Sequence, residues 1–276
     1  MHKVVSIEEN LSISEFKMFQ KLIYNDIGIS LADHKRTLVQ SRLRKWIREF
    51  ELANYQELYE KIANDNSGQM LMMLVNAITT NVTSFFREES QWIYLQNNLT
   101  EIFDIKNKRI RIWSAACSSG QEPYSIIIFL KEHLKNFDEW DIKILATDIS
   151  EEILLKATSG IYVKKELEGM PKNILIKYFN GYKDESFMVK DEIKQYVVFR
   201  TFNLVTGDFS IFKNNFNIVF CRNVMIYFDR QTQNQLFEQF AKLLEKKSRL
   251  FIGHSESIHQ KNYTYKLVAP SIYKLN

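Results

Sequence analysis

Apolar residues recur at three- and four-residue spacing over residues 13–23, 38–50 and 70–78, the period of helices that bury one face. Everything up to about residue 98 reads as helical, so an all-helical N-terminal domain with its linker, together spanning 1–98, is expected. Ser12 and Ser14 precede the first helix and Asp33 the second, each able to accept hydrogen bonds from free backbone N–H groups. Gly28 stands where a break is expected. Beyond residue 108 the pattern changes to short, nearly continuous apolar runs at 110–115, 142–146, 218–221 and 250–253. Strands that are apolar throughout are covered on both faces, which predicts a parallel sheet between helix layers. Residues 121–134 and 231–244 supply the crossover helices. Two runs at 263–268 and 272–275, separated by Ala269-Pro270-Ser271, predict a hairpin closing one sheet edge. Between about 160 and 204 the alternation is interrupted by a short helix at 171–179 and strands at 187–189 and 196–201, read together as a small β insertion. The expected division is thus 1–98 and an α/β domain over 99–276.

A chain of 276 residues, 45% hydrophobic and 25% charged, has the balance of a globular protein with two units. The first thirty residues carry no basic-then-apolar leader, and the apolar runs at 70–75 and 126–130 are far shorter than the ~18 residues needed to cross a bilayer. A cytoplasmic location is the expectation. Cys117 and Cys221 have no CxxC spacing and no clustering with histidines, so neither a metal site nor a disulfide framework is indicated. The formal charge is +4, and residues 33–49 alone hold six basic and two acidic side chains, 6 − 2 = +4. On an ideal helix Val39, Leu43, Trp46, Ile47 and Phe50 form an inward stripe, while Arg42, Arg44, Lys45 and Arg48 lie on the other side. Such a basic face suits an acidic partner, although exposed charge is most often simply solvated.

Three places carry candidate chemistry. The strand at 110–115 runs through small residues, Ala115-Ala116-Cys117-Ser118-Ser119-Gly120, into a helix, which lets backbone approach a ligand at the sheet's C-terminal edge. The dinucleotide fingerprint GxGxxG is absent, and an ordinary tight turn is the plain alternative. Asp148 ends the next strand, where a carboxylate can accept both ribose hydroxyls of an adenosine; capping the following helix is its other use. Glu122, at the start of a helix, either stabilises the helix dipole or binds a cationic group. Phe220-Cys-Arg-Asn-Val-Met-Ile-Tyr-Phe228 puts Arg222 and Asn223 after a further apolar strand. His254 and its neighbouring serines lack the surroundings of a nucleophile elbow.

These residues resemble the chemotaxis receptor methyltransferases, the CheR family. The matching segments are Thr79-Thr-Asn-Val-Thr-Ser-Phe-Phe-Arg-Glu88, Trp113-Ser-Ala-Ala-Cys-Ser-Ser-Gly-Gln-Glu-Pro-Tyr-Ser125, Ala146-Thr-Asp-Ile149, Asn203-Leu204, Phe220 through Asp229 and Gly253-His-Ser-Glu-Ser257, in family order along nearly the whole chain. The resemblance implies a Rossmann-like methyltransferase sheet with a C-terminal hairpin and a small β insertion, and S-adenosylmethionine as cofactor. It implies that Asn81, Thr83, Arg87, Glu122, Asp148, Asn203, Leu204, Arg222 and Asn223 meet that cofactor, with Arg87 and Tyr227 beside the transferring methyl. The implied partners are cytoplasmic helices of chemoreceptors, reached by a monomer with no nucleic acid and no direct membrane contact. Arg42, Arg44, Lys45 and Arg48 are the expected receptor-binding residues. Some family members tether a receptor C-terminal peptide through a glycine-containing loop of the insertion; the corresponding stretch 180–186 has only Gly181.

A glutamate carboxylate is anionic at neutral pH, and the sulfonium methyl of the cofactor is already activated, so the expected reaction needs alignment more than acid–base catalysis. Its products are a glutamate methyl ester and S-adenosylhomocysteine. Arg87 would hold the acceptor carboxylate and Tyr227 orient it. A nucleic-acid methyltransferase and a non-catalytic receptor adaptor are the competing readings; no Asn/Asp-Pro-Pro-Tyr/Phe strand end supports the first, and retention of Asp148, Glu122 and Arg87 opposes the second.

Overall fold

The computed structural model describes residues 10–79, 82–213, 215–258 and 264–276. Two compact units emerge, residues 1–81 with 227–229, and residues 82–226 with 230–276.

The smaller unit contains α1 (Ile13–Ile27), α2 (Arg36–Glu49), α3 (Tyr55–Ala63) and α4 (Gln69–Ile78). Phe16, Phe19 and Ile23 of α1, Leu43 and Ile47 of α2, Leu58 of α3 and Leu74 of α4 are all buried, each set at helical spacing. Ser12 caps α1, accepting from the Glu15 N–H, while the Glu15 carboxylate accepts from the Ser12 N–H, a reciprocal capping box. Gly28 ends α1 with φ of 83° and donates its N–H to the Tyr24 carbonyl, a left-handed stop that glycine adopts without side-chain strain. Asp33 does not cap α2 as expected. It opens a short 3-10 turn over Asp33–Lys35, and its carboxylate accepts from the Gln20 side chain; the Lys35 and Arg36 N–H groups donate to the Ala32 and Asp33 carbonyls of this preceding turn, with no side-chain cap. Residues 227–229 group with these helices: the Ser30 N–H donates to the Tyr227 carbonyl, and the Tyr24 hydroxyl to Asp229.

The larger unit begins with α5 (Glu89–Ile102) and continues β1 (Arg109–Ala115), α6 (Gln121–His133), β2 (Asp141–Asp148), α7 (Glu151–Ser159), β3 (Ile161–Val163), α8 (Lys172–Tyr178), β4 (Phe179–Gly181), β5 (Ser186–Val189), α9 (Asp191–Lys194) and β6 (Val197–Thr201). It ends with β7 (Phe216–Cys221), α10 (Arg230–Leu243), β8 (Leu244–Ile252), β9 (Tyr265–Ala269) and β10 (Ile272–Leu275). The seven-stranded sheet runs β6-β2-β1-β7-β8-β10-β9. The first five strands are parallel, and β10 is antiparallel to both β8 and β9. The terminal hairpin was legible, though residue 263 at its expected start lies outside the described residues.

Two expectations are corrected. The units divide at residue 81 rather than 98, because α5 belongs to the α/β core: Trp92 stacks on Phe220 at 5.9 Å and meets Phe129 at 5.5 Å. Phe85 and Phe86 bring the preceding segment with it, through Tyr162 at 5.0 Å and Trp92 at 5.6 Å. The insertion is also smaller than 160–204. Its three-stranded sheet, β3-β5-β4, ends at Val189, whereas β6 pairs parallel with β2 as the edge strand of the main sheet. β6 is only half-buried, with Val198, Arg200 and Thr201 exposed, so it lacks the continuous apolar run of the central strands. In the β4–β5 turn Asp184 and Glu185 take φ of 52° and 53°, so the chain reverses there without glycine.

Candidate functional site

The strand registers bring the candidate residues to one edge. Ala115 stands opposite Thr147 of β2 and Cys221 of β7, Asp148 opposite Thr201 of β6, and Cys221 opposite Ile252 of β8. The strand order reverses between β1 and β7, and in open parallel sheets such a switch point forms the ligand crevice. After β1 the chain makes a compressed turn in which Ala116, Ser118 and Gly120 take φ of 64°, 49° and 92°. Two of these are not glycine, and strained backbone of this kind persists only where its surroundings over-determine it. The Cys117 N–H donates to the Thr147 carbonyl at 2.8 Å, and the Trp113 indole donates to the Thr147 hydroxyl. Gly120 has no alternative: a Cβ there would lie 2.9 Å from the Ala157 Cβ and 3.0 Å from the Tyr162 hydroxyl.

Asp148 closes over this turn. Its carboxylate accepts the Ser118 N–H at 2.9 Å and the Ser150 N–H at 3.1 Å. Burial pushes the carboxyl above its ordinary range, opposed by hydrogen bonds from the Ser150, Ser118 and Ile149 backbone. The cap of α7 is Ser150, not Asp148, which leaves Asp148 a carboxylate facing the strand edge. Its carbonyl accepts the Phe202 N–H, drawing half-buried Asn203 and buried Leu204 to the end of β2. The Asn203 side chain accepts the Val205 N–H at 2.8 Å. On the other side of the turn, Glu122 accepts the Ser114 hydroxyl at 2.6 Å and Arg222 Nη1 at 3.1 Å. Burial raises its pKa, and the Arg222 charge opposes the rise.

Arg222, with a side chain 3% exposed, ties together two carboxylates and a backbone carbonyl. Besides Glu122, its Nε donates to Glu88 at 3.3 Å and its Nη2 to the Arg87 carbonyl at 2.6 Å. Asn223, at φ of 59°, donates its N–H to Glu256. Glu256 also accepts the Gly253 N–H at 2.6 Å and the Ile226 N–H at 3.3 Å. Burial raises the Glu256 carboxyl, against the hydrogen bonds from these backbone groups. Glu88 and Glu256 sit inside motifs visible in the sequence yet received no role there; the only signal was a carboxylate next to an apolar strand end or helix start. His254 bonds the Ser90 hydroxyl and faces Glu88 at 3.9 Å through the same Nε2 atom, whereas a hydrolytic triad uses both ring nitrogens.

Arg87 is half-buried, and its Nη1 donates to the Val82 carbonyl at 2.8 Å. Thr83 is half-buried nearby in sequence, and Asn81 lies outside the described residues. Tyr227 belongs to the helical unit, where the Lys35 ammonium lies 5.4 Å from its ring centre. On α2, Val39, Leu43, Trp46 and Ile47 are buried as expected, while Phe50 is only half-buried. Arg42, Lys45 and Arg48 are exposed, and Arg44 is half-buried. A shallow open depression on this helix is lined by Ser41, Arg44, Lys45, Arg48 and Glu49.

A mostly parallel sheet with this order, a tight small-residue turn after its first strand and an acid at the end of its second form a Rossmann-like ligand crevice. Residues 81–273 match the family model described as "CheR methyltransferase, SAM binding domain", and residues 14–79 the one described as "CheR methyltransferase, all-alpha domain". The chain is 41% identical over 274 residues to a chemotaxis protein methyltransferase of Borreliella burgdorferi, covering 97% of this chain and 96% of that one. It is 37% identical to chemotaxis protein methyltransferase 2 of Pseudomonas aeruginosa, covering 94% and 92%, and 35% identical to the chemotaxis protein methyltransferase of Escherichia coli, covering 99% and 95%. The chain belongs to the CheR methyltransferase family, and its chemistry is S-adenosylmethionine-dependent methyl transfer in chemotaxis. No helix among the described residues is long and apolar enough to cross a membrane.

Proposed function

We propose that the protein esterifies glutamate side chains on the cytoplasmic helices of chemoreceptors, working as a monomer in the cytoplasm. The observation that carries the reading is Arg87, a cation fixed on a braced turn beside the strand edge. Its guanidinium has five donors in a planar fork suited to a carboxylate, and Nη1 is engaged by a carbonyl rather than by an acid. An acceptor that is already anionic at neutral pH needs no general base, so orientation by Arg87 and Tyr227 suffices.

S-adenosylmethionine supplies an activated methyl group on a sulfonium centre. In this reading Asp148 accepts the ribose hydroxyls, Asn203 and Leu204 border the base, Asn81 and Thr83 contribute from the segment before α5, and Glu122 offsets the positive charge. Arg222 and Asn223 act mainly by bracing that surface, since the Arg222 donors are already directed to Glu88, Glu122 and the Arg87 carbonyl. The relatives' description as chemotaxis protein methyltransferases supports receptors as substrates, and the basic face of α2, Arg42, Arg44, Lys45 and Arg48, suits glutamate-rich helices.

The test is incubation with methyl-labelled cofactor and receptor cytoplasmic fragments. Label released as methanol by mild base, and mapped to glutamate, is the expected result. Label that stays on the receptor in base identifies an amine or other acceptor and refutes ester formation.

A further inference from the structure

The turn that carries Arg87 is held by more contacts than its length requires. Phe86 and Glu88, on either side of Arg87, both take left-handed backbone, with φ of 51° and 62°. Side chains with a Cβ rarely adopt this conformation, and asparagine, aspartate or glycine is the ordinary choice. Glu88 also stands at the start of α5 but makes no side-chain capping bond there. For both local roles aspartate is the better residue. What glutamate adds is reach. Its carboxylate accepts Arg222 Nε at 3.3 Å, the His254 N–H at 3.1 Å and Asn223 Nδ2 at 3.5 Å. These donors come from the loops after β7 and β8, far along the chain. The Arg87 carbonyl is fixed in turn by Arg222 Nη2 at 2.6 Å and by the Trp92 indole at 2.9 Å, and the Phe86 N–H by the Ser125 hydroxyl at 2.9 Å.

We propose that Glu88 is a positioning residue for methyl transfer, which sets the backbone of Arg87 by tying it, through Arg222 and the His254 amide, to the ends of β7 and β8. This rests on Arg87 orienting the acceptor, as proposed above. Glu88 itself touches neither acceptor nor cofactor in this role. Its loss leaves Arg222 paired with Glu122, whose own contacts with Ser114 and Arg222 persist, so cofactor binding survives while acceptor alignment is lost.

The experiment is a double-mutant cycle on the full-length protein with receptor fragments, comparing Glu88→Gln, Arg87→Ala and the double variant. S-adenosylhomocysteine affinity and thermal melting serve as controls. Glu88→Gln is expected to lower kcat by about tenfold or more, with S-adenosylhomocysteine affinity changed by less than about threefold. In the double variant kcat should fall no further than in Arg87→Ala alone, because the two act through one group. Multiplicative losses overturn the proposal, as does a Glu88→Gln enzyme at full rate. Arg87→Ala at full rate instead refutes the role given to Arg87, so the two failures are separable. Glu88→Asp keeps the charge and suits the left-handed backbone, so it folds even if the glutamine variant does not. It is too short to hold the loops after β7 and β8, and should likewise lose kcat; full activity in Glu88→Asp overturns the proposal.

Discussion

Asp148 is a carboxylate with a visible task in local order and, in the reading proposed above, a second one toward the cofactor ribose. It accepts the Ser118 and Ser150 N–H groups, which stiffens the turn after β1, and an ionised carboxylate has about four acceptor sites. Asp148→Asn is nearly isosteric but presents an amide donor where only acceptors fit. It should weaken S-adenosylhomocysteine binding by about 1–3 kcal/mol, roughly 5- to 150-fold, measured by calorimetry. The pH dependence has a definite sign. Burial raises the Asp148 carboxyl, and in the proposed role it is the ionised form that would accept ribose hydroxyls. Affinity is therefore complete well above that raised value and falls as pH drops through it, and the asparagine variant should lack this component. Equal affinity for parent and variant at neutral pH would remove Asp148 from the cofactor site.

At the scale of elements, what the sequence made legible was whatever repeats. The 3.6-residue stripe of α2 and the continuous apolar runs of β1, β2, β7 and β8 announced themselves, because burial of one face or of both leaves a periodic record. Features set by distant partners left none. The 82–98 segment reads as helical like everything before it, and it is packing with distant residues, such as Trp92 stacking on Phe220, that assigns it to the sheet. The half-exposed edge strand β6 resembled its insertion neighbours until its register with β2 placed it. Glu88 and Glu256 bond backbone and side chains more than a hundred and about thirty residues away, respectively, which no local pattern encodes. The turn between β1 and α6 was legible as small residues, though not its strain. Gly120 there allows a direct check. Gly120→Ala puts a methyl 2.9 Å from the Ala157 Cβ at φ of 92°, so α7 must shift away from the turn. Loss of at least about 2 kcal/mol of stability is expected in urea denaturation, together with weaker S-adenosylhomocysteine binding. A variant that melts and binds like the parent would mean the turn is far softer than its packing indicates.

For the whole molecule, charge is the property with the longest reach. The net charge of +4 equals that of residues 33–49 alone, so the rest of the chain is balanced and the positive field originates mainly around α2. A field of this kind speeds encounter with an acidic partner more than it strengthens the bound complex. It also weakens as added salt shortens the screening length, which is about 8–10 Å at physiological ionic strength. The structure refines which charges to reverse: Arg44 is half-buried, whereas Lys45 and Arg48 are exposed, so the latter pair can be changed with little cost to folding. Lys45→Glu with Arg48→Glu should lower kcat/KM for receptor fragments by about tenfold at low ionic strength, leaving melting and S-adenosylhomocysteine affinity near those of the parent. Raising salt should slow the parent and narrow the gap, because both proteins then meet the receptor with their fields screened. If the double variant methylates receptor fragments at the parental rate in low salt, the basic face of α2 is only solvated and docking must use another surface.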